Sequence, residues 1–288
     1  YLEINNVIQG IFWTANKLYG LSFRERTEDY PQYHKQQQSW DVIDKKGNLI
    51  AIFYSDYYPR DGKGAGAWCG RFRPQSYDGA MRVQPIVTNV CNMTLPAEEG
   101  GPALQTVDNV LTMFHEFGHA LHSFFRDVQY EGTGGVERDF VELPSQINEH
   151  WAFEPEVLRQ YARHYQTGEV IPQELVEKID ASSKYGQGFA TVEYLAASYV
   201  DLDLHYLTEM PKKLDVMKFQ AEKMRKRGMP SQILPRYSVT NFSHTMGGGY
   251  SAGYYSYIWA EVLDADAFEA FKETGDIFNQ QVAERFLT

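Results

Sequence analysis

A mainly α-helical chain with a small antiparallel β-sheet is the fold class this sequence predicts, and three observations carry it. Strand-like runs and turn residues fall within about residues 38–95. From about residue 100 to 288, apolar residues recur at helical spacing, punctuated by Gly and Pro. With 288 residues, 43% hydrophobic and 15% aromatic, the chain can bury a sizeable core. Residues 1–288 are therefore read as one domain with a sheet-bearing part and a helical part.

In chain order, Leu2 to Leu18 reads as a helix. The sequence opens at Tyr1 without Met, inside this helix, and an upstream segment is expected before it. Trp40–Asp44 and Leu49–Tyr54 flank the polar turn Lys46-Gly47-Asn48 and form a predicted β-hairpin. Ala67–Phe72 and Val83–Val90 are two further strands. Asp61-Gly-Lys-Gly-Ala-Gly66 is glycine-rich but lacks the ending and following helix of a phosphate loop, so it is read as a substrate-covering loop. Helices are predicted at 103–126, 144–166 with a break at Pro155, 172–184, 186–209, 213–227 and 250–272.

The first long helix carries His115-Glu116-Phe117-Gly118-His119. On a helix the two imidazoles stand one turn apart and can reach one metal ion, with Glu116 beside them as a base for a metal-bound water. Two neutral nitrogens suit Zn²⁺, one per chain, and a catalytic site needs a third protein ligand while keeping one position open. Glu142, just ahead of the helix that Pro144 and Ser145 begin, is the candidate. Asp139 is the candidate outer acceptor for a ligand imidazole N–H, with a solvated acid or an Arg138 partner as the alternative. His122 lies one turn beyond His119, but a fourth ligand would close the water position. Gly118 in mid-helix points to a second backbone packed closely there. Gly66 and Ala67, leading into Trp68, suit an edge strand that holds a peptide by backbone hydrogen bonds, the alternative being a purely structural strand.

Tyr250, Tyr254 and Tyr257 fall at i, i+4 and i+7 of the last predicted helix, with Gly247-Gly-Gly249 as a flexible lead-in. An aromatic stripe is usually core, yet each of these rings carries a hydroxyl that needs a partner when buried.

The net charge of −11 argues against nucleic acid or an anionic membrane surface as partner. The short basic cluster Lys223 to Arg227 reads as a solvated helix end. No apolar run of 18 residues is present. Two cysteines give no disulfide framework and suit a reducing compartment, so a cytoplasmic location is expected, with the periplasm as the alternative.

His115-Glu-Phe-Gly-His-Ala-Leu-His122, Arg138-Asp-Phe-Val-Glu-Leu-Pro-Ser-Gln146 and Glu149-His-Trp151 resemble the thimet-oligopeptidase (M3) family of zinc peptidases. His244-Thr-Met-Gly-Gly-Gly-Tyr250-Ser-Ala-Gly-Tyr254-Tyr-Ser-Tyr257 resembles its bacterial dipeptidyl carboxypeptidase branch. The resemblance implies a zincin-like (gluzincin) catalytic metallopeptidase domain and short peptides as substrates. It gives Tyr257 a hydrogen bond to the oxyanion, places His244 and Tyr250 along the cleft, and makes Tyr254 a candidate for the substrate's terminal carboxylate. It also implies a partner for this chain in an N-terminal region of the same polypeptide. The expected reaction is release of C-terminal dipeptides. An endo-acting oligopeptidase is the alternative within the family, and a non-catalytic zinc-stabilised binding fragment the alternative outside it.

Overall fold

The computed structural model describes residues 1–98, 100–209 and 211–287. Two compact units are distinguished: one comprises 1–136, 143–176 and 263–288, the other 137–142 and 177–262.

The first unit begins with α1 (Ile4–Tyr19), whose first turn is capped by the Glu3 carboxylate accepting from the Asn5 and Asn6 amides. Gly20, in the left-handed region at φ 70°, ends it. A five-stranded sheet follows in the order β1-β2-β3-β7-β4, built from β1 (Ser22–Glu25), β2 (Gln38–Ile43), β3 (Leu49–Asp56), β4 (Trp68–Arg73) and β7 (Ile86–Val90). Strands β5 (Ser76–Asp78) and β6 (Met81–Val83) form a separate hairpin. The β2–β3 turn is where the sequence put it, with Asp44 Oδ1 accepting from the Lys46 and Asn48 amides.

The expectation of an antiparallel sheet is corrected here, because the sheet is mixed. Strand β7 slots between β3 and β4, parallel to the first and antiparallel to the second. The segment holding β4, β5 and β6 supplies the crossover that a parallel pair requires, and residue alternation carries no information on strand direction. The single strand expected over Val83–Val90 is also divided, at Gln84-Pro85, where Pro lacks the N–H a ladder needs.

Against the sheet lies α2 (Val107–Phe125), started by Thr106, whose hydroxyl accepts from the Asn109 amide. The helix therefore begins five residues after Pro102, inside the span 103–126 expected from the sequence. Phe12, Trp40, Phe53, Phe117 and Phe124 interlock at centroid distances of 4.9–6.0 Å and form the core between α1, the sheet and α2. The expected 144–166 helix is α3 (Leu143–Ala152) and α4 (Pro155–Tyr161), broken just ahead of Pro155. Helices α5 (Gln173–Ser183) and α10 (Gln280–Leu287) are the remaining short elements outside the second unit's core.

The second unit holds α6 (Gln187–His205), α7 (Val216–Lys226), the single turn α8 (Ser243–Met246) and the start of α9 (Ser256–Lys272). Ala196, Val200, Met224 and Val239 form one buried cluster, and Ala197, Phe242 and Tyr254 another. The helix expected from residue 250 is corrected: 250–255 are turns and α9 starts at Ser256. Gly249 at φ 84° and Ala252 at φ 55° hold backbone conformations that a right-handed helix cannot include. Among the described residues, no helix is long and apolar enough to cross a membrane.

Candidate active site

Helix α2 presents His115 and His119 on successive turns of one face, ring centroids 5.0 Å apart, with Glu116 buried beside them. Gly118 explains how α3 comes so close. A Cβ at that position would stand 2.3 Å from the Pro144 carbonyl oxygen and 2.6 Å from Ser145 Cα, distances only a hydrogen tolerates. Asn148 Nδ2 donates to the Phe114 carbonyl at 2.7 Å and fastens the two helices further. One turn along α3, Glu149 Oε1 lies 2.6 Å from His115 Nδ1. An Nδ1–H donated to that carboxylate leaves Nε2 as the lone-pair nitrogen.

Glu142 immediately precedes α3. One of its carboxylate oxygens and one ring nitrogen from each of His115 and His119 lie within 4.8 Å of one another. Two imidazoles and a carboxylate are a donor set that zinc takes with its fourth position open, so the residues present fit the metal. His122 is a half-buried neighbour whose pKa is lowered by burial, then by the positive field of His119, Arg126 and Arg71. The Cys69 and Cys91 thiols and the Tyr57 phenol are pushed up, first by burial, with the Glu116 charge contributing. Both cysteines are free, and the groups around Glu116 stay neutral.

In the second unit Glu142 meets the tyrosines. The Tyr250 hydroxyl donates to Glu142 Oε1, and Tyr257 stacks on Tyr250 at 5.3 Å with planes 22° apart. The Arg138 guanidinium lies over the Tyr250 ring, 4.6 Å from its centroid. Burial, then the Glu142 charge, raises both phenols, Tyr250 to about 12 and Tyr257 well beyond. Both hydroxyls therefore keep their protons at neutral pH and can donate. His244 sits 5.4 Å from Tyr254 and 6.2 Å from Tyr257, half-buried, its pKa lowered by burial and then by Arg236. Its Nδ1 is buried with no hydrogen-bond partner among the described residues. Tyr254 is the most enclosed of the row, packed on Phe242 and Tyr194 at 4.7 and 4.8 Å.

The structure places Gly66 and Ala67 just before β4, which among the described residues pairs with β7 alone and is an edge of the sheet. Asn92 Nδ2 donates to the Gly64 and Gly66 carbonyls at 2.9 and 2.8 Å, so this end of the glycine-rich loop is pinned. Asp139 accepts from the Tyr255 hydroxyl at 3.2 Å, and the carboxylate on His115 belongs to Glu149. Sequence reasoning missed Glu149 and Arg138. The seven-residue step from Glu142 to Glu149, about two helical turns, was the available signal for the former.

The family model "Peptidase family M3" matches residues 1–288. The chain is 43% identical over 281 residues to a protein named dipeptidyl carboxypeptidase from Escherichia coli, covering 96% of this chain and 41% of that protein. It is 37% identical over 295 residues to oligopeptidase A from the same organism, covering 100% of this chain and 42% of the relative. Saccharolysin from Saccharomyces cerevisiae is 29% identical over 280 residues, covering 93% and 39% respectively. The chain thus spans about two fifths of the length of the relatives it matches. With a match along its whole length and the two-histidine helix at its centre, the chain belongs to peptidase family M3.

Proposed function

We propose that the protein hydrolyses peptide bonds in short peptides as a zinc-dependent peptidase of the gluzincin type, releasing dipeptides from a free C-terminus. The observation that carries this is the meeting of His115, His119 and Glu142, with Glu116 buried on the same helix and Glu149 on the outer nitrogen of His115. When bound, zinc would lower the pKa of a water molecule and polarise the scissile carbonyl. His115, His119 and Glu142 would hold it. Glu116 accepts the proton of the attacking water and returns it to the departing amine. Tyr257 donates a hydrogen bond to the oxygen that gains negative charge, an interaction worth about 3 kcal/mol in comparable oxyanion sites. Tyr250 orients Glu142 through its hydroxyl, and Asp139 holds Tyr255 at the other end of the same segment.

His244, half-buried beside Tyr254 and Tyr257, contributes an imidazole that burial and Arg236 keep neutral. Tyr254, within the field of Arg236, is the candidate for the terminal carboxylate. Gly66 and Ala67 lead into the edge strand that would pair with the peptide backbone.

Peptides with free and amidated C-termini test the reading. Dipeptide release from the free form, and a kcat/KM at least on the order of tenfold lower for the amide, is expected. Equal rates with internal cleavage would favour the endo-acting mode, which the likeness to oligopeptidase A along the whole chain keeps as the second reading. No hydrolysis of either peptide by the zinc-loaded protein would leave the binding-fragment reading.

A further inference from the structure

The helix α6 packs small residues, Ala196, Ala197, Ser198 and Val200, and among them one fully buried carboxylate, Asp201. A charge placed there is costly unless it is fully hydrogen-bonded, and plain packing would be served by an apolar side chain. Asp201 Oδ1 accepts the Ala252 amide and Oδ2 the Tyr254 amide, both at 3.0 Å. His205, one turn along α6, approaches Oδ1 at 2.9 Å. The two amides lie in the turn 250–255 ahead of α9 and have no helical carbonyl to donate to.

Between them stands Ala252 at φ 55°, the one non-glycine with positive φ among the described residues. Such a conformation persists only where the surroundings enforce it. Tyr194 donates its hydroxyl to the Tyr254 carbonyl, and Ser251 donates to Thr245 O at 2.6 Å. On the other side Arg138 closes on Gly249, where a Cβ would come within 2.9 Å of its Nη2. The segment is thus clamped between a buried anion and a cation, with Tyr250 before the clamp and Tyr257 just after it.

We infer that Asp201 is a positioning residue, which fixes the turn 250–255 so that the Tyr250 hydroxyl meets Glu142 and Tyr257 is presented beside it. Its kinetic consequence rests on the proposed role of the tyrosines. The test compares Asp201→Asn, Tyr257→Phe and the double variant in the protein at its natural full length. Zinc content, thermal melts and hydrogen exchange of the Ala252 and Tyr254 amides are measured beside kcat and KM. Asn keeps the volume and loses one of the two amide acceptors.

Asp201→Asn should lower kcat on the order of tenfold or more, with KM little changed and zinc retained. Exchange at the two amides should quicken, and the double variant should be less impaired than the product of the single effects, because both changes strike one interaction. Asp201→Glu should not restore kcat, since a longer arm shifts the turn. An unchanged kcat in Asp201→Asn, or a loss that multiplies independently with Tyr257→Phe, would overturn the inference. A silent Tyr257→Phe beside an impaired Asp201→Asn with quickened exchange would sink the oxyanion role of Tyr257 and leave the positioning role standing. Should Asp201→Asn fail to fold, the comparison is made in an Ala252→Gly background, which removes the left-handed strain while keeping both amides.

Discussion

His244 shows how much one side chain's surroundings decide. Burial, then the positive charge of Arg236, hold its pKa below 6.5. The unfolded chain takes up a proton near pH 6.5, whereas the folded chain does so only at lower pH, so the unfolded state binds more protons in that window. This contribution to stability is complete above about pH 6.5 and is lost as pH falls below it. His244→Gln, neutral throughout, should therefore lose less Tm than the wild type between about pH 7 and 5. Equal losses would contradict the assignment. At this scale the two histidines and Glu116 of α2 were legible because their spacing is itself the geometry. Glu149 was not, since a carboxylate on a helix looks the same in sequence whether or not it faces an imidazole.

At the scale of elements, the close approach of α2 and α3 rests on Gly118. Gly118→Ala would press a methyl group against the Pro144 carbonyl and Ser145 Cα, which are backbone and cannot swing aside. We expect destabilisation of about 1–3 kcal/mol, read from a denaturant titration, together with weaker zinc binding because Glu142 is joined directly to the first residue of α3. A variant with wild-type stability and zinc affinity would show that the contact is slack. That crowding was foreseeable, since a glycine that weakens a helix needs a reason. The break at Pro155 was legible, whereas α2 starts at Val107 behind the Thr106 cap and not at residue 103. The turn 250–255 was not, because i, i+4, i+7 spacing also fits three tyrosines brought together by a clamp elsewhere in the chain. The parallel β3–β7 pairing was equally hidden, as it depends on which strands become neighbours.

For the molecule as a whole, the acidic balance of −11 coexists with local cations at Arg138 and Arg236, and it is the local ones that bear on the tyrosines. Glu142, chosen in the sequence from the need for a third ligand, offers a carboxylate oxygen within 4.8 Å of the two ring nitrogens. What holds the tyrosine segment to Asp201 lies some fifty residues away in sequence and leaves no periodic trace. The proposed function divides the labour, with one group of residues binding zinc and another, Glu116, moving the proton. The direct measurement is zinc content together with peptide turnover in the full-length protein, for wild type, Glu116→Gln and His119→Ala. One zinc per chain is expected in the wild type and in Glu116→Gln, with a loss of turnover on the order of 10²–10⁴-fold in the latter and no tightly bound zinc in His119→Ala. A zinc-replete Glu116→Gln protein that hydrolyses peptides near the wild-type rate would contradict it.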